Sequence, residues 1–445
     1  MATLLEKYKD RIRVAENVHA REHNGAKMDT NKKLVLATCL DNVSKFLNES
    51  FDAASGTQRA DLGSYKKFCL NLTNIALPNL IAHDLVIVHP MTSMTGYVAY
   101  LEYTSAKTKG GVTNGQLFNS PFKLGAMDEN RTNFTGDRVV EEFTATASQT
   151  EFPVAWAAAT LEDGKLVDGK VLINGTATDK YTATTADGVT TVKLTAAASA
   201  NDKVRIAYVY DNITVPQADL PAIKAEMKNI PLLAKARRLS VYYSQIAAFQ
   251  AKTDYGFDLG DQLAEQAVGE LSYEIDSEIV ELLDEMAGDA LTDLTWSKTL
   301  PVGVSKRDHY AGFAEIAQLA AKHIYDATQK FAPNYMVASS ALLPVLSMCD
   351  AFTAAPAGQM NGPYYAGTFA QLKVFISPRM EEGEFIVGVN GNDMMSSAAV
   401  YAPYMAIVPT QLIQFADGGT TQGWSTMYDL KPLNDALVIK GKITA

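Results

Sequence analysis

Any chemistry in this chain would have to come from six histidines, three cysteines and a dense run of acids. His19 and His23 stand four residues apart, the spacing with which one helix face holds a metal ion. They lie in a polar stretch with ordinary acids and no cysteine, and read as a solvated pair. His83 and His89 flank the apolar run DLVIV and read as strand-end residues. Cys39, Cys69 and Cys349 are far apart and form no CxxC, which argues against a zinc site and against a disulfide framework. Cys349 has no histidine close in sequence to activate it and reads as core. Lys107 and Lys109 fall in a loop where a lysine could cross-link to an asparagine; the plainer reading is two solvated lysines. The phosphate-cradling, dinucleotide, zinc-protease and nucleophile-elbow patterns are absent from the sequence. No catalytic, cofactor-binding or metal residue is therefore expected.

The acids gather in DLGDQLAEQAVGELSYEIDSEIVELLDEMA, residues 258–287, where ten of them, Glu274 and Glu278 included, meet no Lys or Arg between Thr253 and Ser297. Leu259, Leu263, Ala267, Leu271, Ile275, Ile279 and Leu283 recur every four residues, so the stretch predicts one long helix whose apolar stripe slants around it. At about 1.5 Å per residue it would be roughly 45 Å long, a spine. Its acids are too many and too regular for the paired carboxylates of a glycosidase cleft. Unopposed like charge on one helix costs stability. Lys235, Arg237 and Arg238, just upstream, are the candidate partners, placed on a neighbouring copy.

A chain of 445 residues is too long for one core, so two or three folded units are expected. The net charge of −11 repels nucleic acid; a chain like this that met DNA would enclose it without sequence-specific contact. The scattered cysteines fit a reducing, cytoplasmic origin. The first twenty residues lack the apolar core of a signal peptide, and no apolar run has the length of a membrane span.

Residues 1–60 are polar and helical in pattern and read as an arm that lies on something else. YVAYLEYTS, residues 97–105, alternates as a strand and leads into about thirty residues with five glycines, a projecting hairpin loop. Residues 141–212 turn rich in Thr and Ala, with hairpin dipeptides Asn174-Gly175 and Asp187-Gly188; they read as an inserted all-β domain, with Pro216 and Pro221 marking the return. Helices and strands mix after residue 300, which makes the class α+β. Near the end, VYAPYMAIVP (400–409) reads as a buried strand interrupted by Pro403 and Pro409, with Tyr401 and Tyr404 beside the break. A strand so interrupted is expected to be completed by neighbouring subunits.

Three stretches resemble the major capsid proteins of tailed bacteriophages, the Johnson fold, in the branch of large contractile-tailed phages. They are LLAKARRLSVYYSQIAAFQAKTDYGFDLGDQLAEQAVGELSYEIDSEIVELL (232–283), FAEIAQLAAKHIYDATQKFAPNYMVASSALLPVL (313–346) with its Asn334-to-Ser339 strand motif, and VYAPYMAIVP. The resemblance implies an N-terminal arm (1–60), the start of a peripheral domain (61–95), an E-loop (96–140) reaching over an adjacent subunit, and the inserted β-sandwich-like domain (141–212). A peripheral domain with the spine helix (213–300), an axial domain (301–395) and return strands of the peripheral domain (396–445) follow. It implies a shell subunit made in the host bacterial cytoplasm, self-assembling as hexamers into an icosahedral virion head around double-stranded DNA. Portal, vertex, scaffold and decoration proteins would be its partners, and no membrane is involved. Lys107, Lys109, Lys235, Arg237, Arg238, Glu274, Glu278, Tyr401 and Tyr404 are the expected inter-subunit contacts. An encapsulin-like cargo shell shares the fold and is the alternative.

Overall fold

The computed structural model describes residues 2–22, 27–52, 69–70, 73, 80–109, 112–127, 129–210, 220–355, 362–391, 393–410, 413–416 and 418–444. The end of the expected arm, most of residues 61–79 and Pro216 lie outside these. The fold is α+β, in two compact units: residues 1–98 with 230–445, and residues 99–229.

The first unit is organised by the spine helix, Leu259–Ala287, whose start is capped by the Asp258 side chain accepting from the Gly260 N–H. The slant of its stripe decides what it holds together. Ala267 and Leu271 pack with Ile407 and Trp424. One to three turns on, Ile275, Ile279 and Leu283 enter the largest core cluster. A straight apolar stripe would serve one sheet; the drift lets one helix serve two.

One of those sheets runs Ile87–Val88, Ala399–Pro409, Gly419–Pro432, Lys235–Ser244, with Ile413–Gln414 also on Gly419–Pro432. We call Ala399–Pro409 the central strand, Gly419–Pro432 the return strand and Lys235–Ser244 the edge strand. The other has seven strands in the order Thr295–Ser297, Val438–Thr444, Glu384–Gly388, Tyr335–Ala338, Leu372–Ile376, Tyr364–Phe369, Phe352–Ala354. Tyr335–Ala338 lies at its middle and is fully buried. The residues flanking that strand explain the motif around it. Asn334 accepts from the Asn390 N–H at 2.8 Å, and the Asn390 amide group donates in turn to the His83 and Val86 carbonyls. At the other end, the Ser339 hydroxyl accepts from the Gly383 N–H at 3.0 Å.

Three helices open the chain: α1 (Ala2–Lys7), α2 (Lys9–Glu22) and α3 (Thr30–Asp52). The expected arm includes α3, which packs into the main core of the first unit. Val35, Leu36, Ala37, Cys39, Leu40, Val43 and Leu47 are all buried in the main cluster. Asp41 and Asn42 are buried beside them and serve as polar ties. Asp41 accepts from Lys7 at 2.6 Å and Tyr8 at 3.2 Å, fastening α1 to α3. Burial works against its charge, but Lys7 and Lys45 overcome that and hold its pKa at about 2.

The same helix answers the question of the interrupted strand. Register shifts flank Met405, between Pro403 and Val408, so Pro403 sits where the ladder is already irregular, and Pro409 is the last residue of the strand. On the side away from the return strand, the Met91 N–H donates to the Pro403 carbonyl and the Asn42 amide group donates to the Tyr404 carbonyl at 2.7 Å. Ten of the eleven residues are buried. The chain's own α3 and residues 87–91 complete this strand, and no neighbour is needed for it.

The second unit contains a ribbon, a loop and a sandwich. Thr95–Ser105 pairs with Ile223–Leu233 and with Leu117–Asn119. Val112, Phe118 and Phe134 make a small core for the expected hairpin loop. The sandwich has a four-stranded sheet (Arg138–Thr144, Lys203–Val209, Lys170–Ile173, Thr176–Thr178) and a three-stranded one (Tyr181–Ala186, Val189–Ala198, Gln149–Pro153). Phe152, Val192, Val204, Ile206 and Tyr208 fill the space between them. Its first strand begins at Arg138, before the expected boundary. Asn174-Gly175 and Asp187-Gly188 sit at two-residue hairpin turns with positive φ at both positions, the geometry that favours these dipeptides.

Candidate assembly surfaces

The expected contact residues fall into three environments. The first is the seam between the spine helix and the sheet. Arg237, on the edge strand, meets Glu278 of the spine helix through its Nη2 and lies 4.0 Å from Glu274. The other Glu278 oxygen accepts from the Tyr428 hydroxyl, and the Arg237 guanidinium stacks 5.2 Å from the Tyr428 ring centre. The arginine is thus held by two carboxylates and a ring of its own chain. This corrects the expectation that a neighbouring copy relieves the acids, at least for Arg237 and Glu278. Burial, and then the bond to Glu278, push the Tyr428 hydroxyl well above its usual pKa.

Tyr401 belongs to the same seam and is 2% exposed in the single chain, its ring 5.4 Å from that of Tyr428. It is a core residue with no surface to offer, and its assignment as a contact is withdrawn. Tyr404 is half-buried against the main core and offers a partial face.

The second environment is the loop of the second unit. Lys109 is 3% exposed, and its ammonium donates to the Phe134 and Gly136 carbonyls at 2.9 and 2.8 Å while lying 4.9 Å from the Tyr210 ring centre. Burial lowers its pKa. The solvated reading and the contact reading both fail for it. The sequence cue was there in Phe134, Gly136 and Tyr210, but their convergence on one ammonium is not written in any local pattern. Lys107, two residues away, is half-buried and keeps a partly open side chain.

The third environment is open surface. Lys235 and Arg238 are exposed on the edge strand, and Glu274 keeps 52% of its side chain exposed. Sequence reading passed over an exposed apolar group nearby: Tyr242, Ile246, Phe249 and Tyr255 are 62 to 77% exposed. An apolar patch of this kind marks a surface built to be covered. Among the described residues no group of His, Cys, Asp and Glu is arranged to hold a metal, and no helix is long and apolar enough to cross a membrane.

These features describe a chain whose unusual side chains sit in seams and on surfaces. The chain is 24% identical over 422 residues to the major capsid protein of Vibrio phage KVP40, covering 86% of this chain and 80% of that one. It is 24% identical over 395 residues to that of Enterobacteria phage T4, covering 81% and 74%. A solved structure from Microbacterium phage Oxtober96 superposes with a TM-score of 0.36 at 12% identity, covering 68% of this chain and 88% of that one. The family described as Major capsid protein Gp23 matches residues 62–436, across both units, and the chain belongs to that family.

Proposed function

We propose that this major capsid protein tiles hexameric capsomers and closes an icosahedral head around double-stranded DNA, acting by packing and without catalysis. The family match from residue 62 to residue 436 carries the reading, because it takes in the spine, the insertion and every strand of the two sheets except Val438–Thr444. The net charge of −11 suits a wall that does not grip the genome. In this reading Lys107, Lys235, Arg238, Glu274 and the open face of Tyr404 meet neighbouring copies. Portal, vertex, scaffold and decoration proteins meet the assembled shell.

An encapsulin-like cargo shell remains the second reading by fold. The curated relatives and the family match favour the phage head over it.

Negative-stain microscopy of the purified chain, with mass photometry beside it, tests the proposal. Shells, tubes, sheets or hexamers are the expected result. A chain that stays monomeric at high concentration, even with scaffold-like partners or crowding agent, would overturn it.

A further inference from the structure

The edge strand, Lys235–Ser244, ends its sheet, and among the described residues no strand pairs with its outer side. Its ten residues keep unbroken register with the return strand, from Lys235 opposite Tyr428 to Ser244 opposite Gly419. The next backbone bond, from the Gln245 N–H to the Gly418 carbonyl, fixes the alternation. Odd-numbered residues turn their backbone groups toward the return strand, and even-numbered ones turn them outward. Ala234, at the head of the strand, uses that outward side to donate to the Met94 carbonyl at 2.9 Å. Beyond it Ala236, Arg238, Ser240 and Tyr242 present N–H and C=O groups to an open edge. The strand contains no proline and no bulge, two of the devices that blunt such edges.

We propose that this edge pairs antiparallel with the same edge of a second copy across a twofold axis, Ser240 opposite Ser240, making one continuous sheet from two subunits. The strand's own sequence selects this occupant. Its positive charges, Lys235, Arg237 and Arg238, all lie in the first half, and its tyrosines, Tyr242 and Tyr243, in the second. Parallel pairing in register would set arginine against arginine, which is destabilising. Antiparallel pairing about Ser240 sets Arg238 against Tyr242 on the outer face, a pair suited to cation–π contact, and leaves Arg237, held by Glu278 and Tyr428 of its own chain, clear of the other copy's arginines. It also sets Leu239 against Val241; these two are only half-buried in the single chain, against the Trp424 cluster. An isologous contact requires such self-complementarity.

The inference rests on the reading of the chain as a shell subunit, and a cysteine experiment separates the two. The three native cysteines are buried, so Ser240→Cys introduces the one accessible thiol among the described residues. Paired as proposed, the Cα atoms of the two copies of residue 240 lie about 5.5 Å apart, within disulfide reach. Oxidising assembled shells of the full chain should move the S240C subunits to twice the 48.2 kDa of the chain on a non-reducing gel. R238C alone should not cross-link, because the two copies of residue 238 are offset by about 14 Å along the strands. The double variant R238C with Y242C should cross-link, and it serves as the second probe if S240C folds poorly. Shells whose S240C and R238C/Y242C subunits stay uncross-linked would overturn the edge pairing and leave the shell reading standing. A chain that never leaves the monomer would overturn both.

Discussion

The main body and the insertion both bury a core, but they assemble it over different lengths of chain. The main cluster draws on residues from Tyr8 to Ile443. The sandwich core draws on residues from Val139 to Tyr210. The most distant strand pair of the sandwich joins Arg138 to Val209, whereas α3 meets a strand more than three hundred residues later, Asn42 bonding to Tyr404. The insertion can therefore gain or lose order with local consequences, while the body forms only when distant segments meet.

The largest expected effect tests that difference directly. Trp424 is 1% exposed, between the spine helix and the central strand. Phe152 is fully buried in the sandwich. Replacing either by alanine removes an aromatic core side chain and costs about 3–5 kcal/mol. That is a large part of a domain's total of about 5–15 kcal/mol. W424A should yield no particles. F152A should weaken or abolish one calorimetric transition, leave the other in place and still allow shells to form. Loss of shells in F152A would show that the two regions stand or fall together.

The same contrast governs what could be read in the sequence. The hairpins of the insertion were legible because Asn174-Gly175 and Asp187-Gly188 specify their turns locally. The spine helix was legible because a four-residue period and an Asp cap are local too, and even its slant followed from arithmetic. The strand Tyr335–Ala338 was located by the family's motif from Asn334 to Ser339. What was hidden is pairing at long range. Nothing near Tyr401 says that α3 will cover it, and nothing near Arg237 says that Glu278 of the same chain will take it. Lys109 misled for the same reason: a lysine in a Gly-rich loop looks solvated until three distant groups close around it. The family resemblance located the segments, but the charge partners had to come from the geometry.

A second prediction uses pH to act on one region and spare the other. Asp276, on the spine helix, is 9% exposed and accepts from the Ile81 N–H at 3.2 Å. Burial pushes its pKa up to about 7, against the opposing pull of the Ala82 and Ile81 amides. A carboxyl whose folded pKa is raised favours the folded state in its protonated form. Its contribution is retained at low pH and falls as pH rises from the ordinary value of 3.8 through about 7. The main-body transition should thus lose Tm between pH 5 and pH 8. D276N keeps an oxygen to accept from the amides and removes the charge. It should flatten that slope and raise the main-body Tm at pH 8, while the sandwich transition stays where it was. Calorimetry of both proteins across that range checks it, and an unchanged slope in D276N would remove Asp276 as the cause.

The smallest effect is expected on the outer face of the sandwich. Lys193 and Glu151 are cross-strand partners with their ions 2.9 Å apart, yet the side chains are 60% and 59% exposed. Water and salt screen such a pair, and holding two long side chains together costs entropy, so K193A should change sandwich stability by less than about 1 kcal/mol. Lys440 in the main body is the counterpart: its side chain is 11% exposed and it sits 2.8 Å from Glu384, whose side chain is 8% exposed. There, removing Lys440 leaves Glu384 with Lys442 alone, at 3.0 Å and with little solvent, so the cost should exceed that of the exposed pair. Chemical denaturation of K193A at low and at high salt is the measurement. A loss above about 1 kcal/mol that vanishes in salt would mean that the insertion, with its small core, depends on surface charge in a way the main body does not.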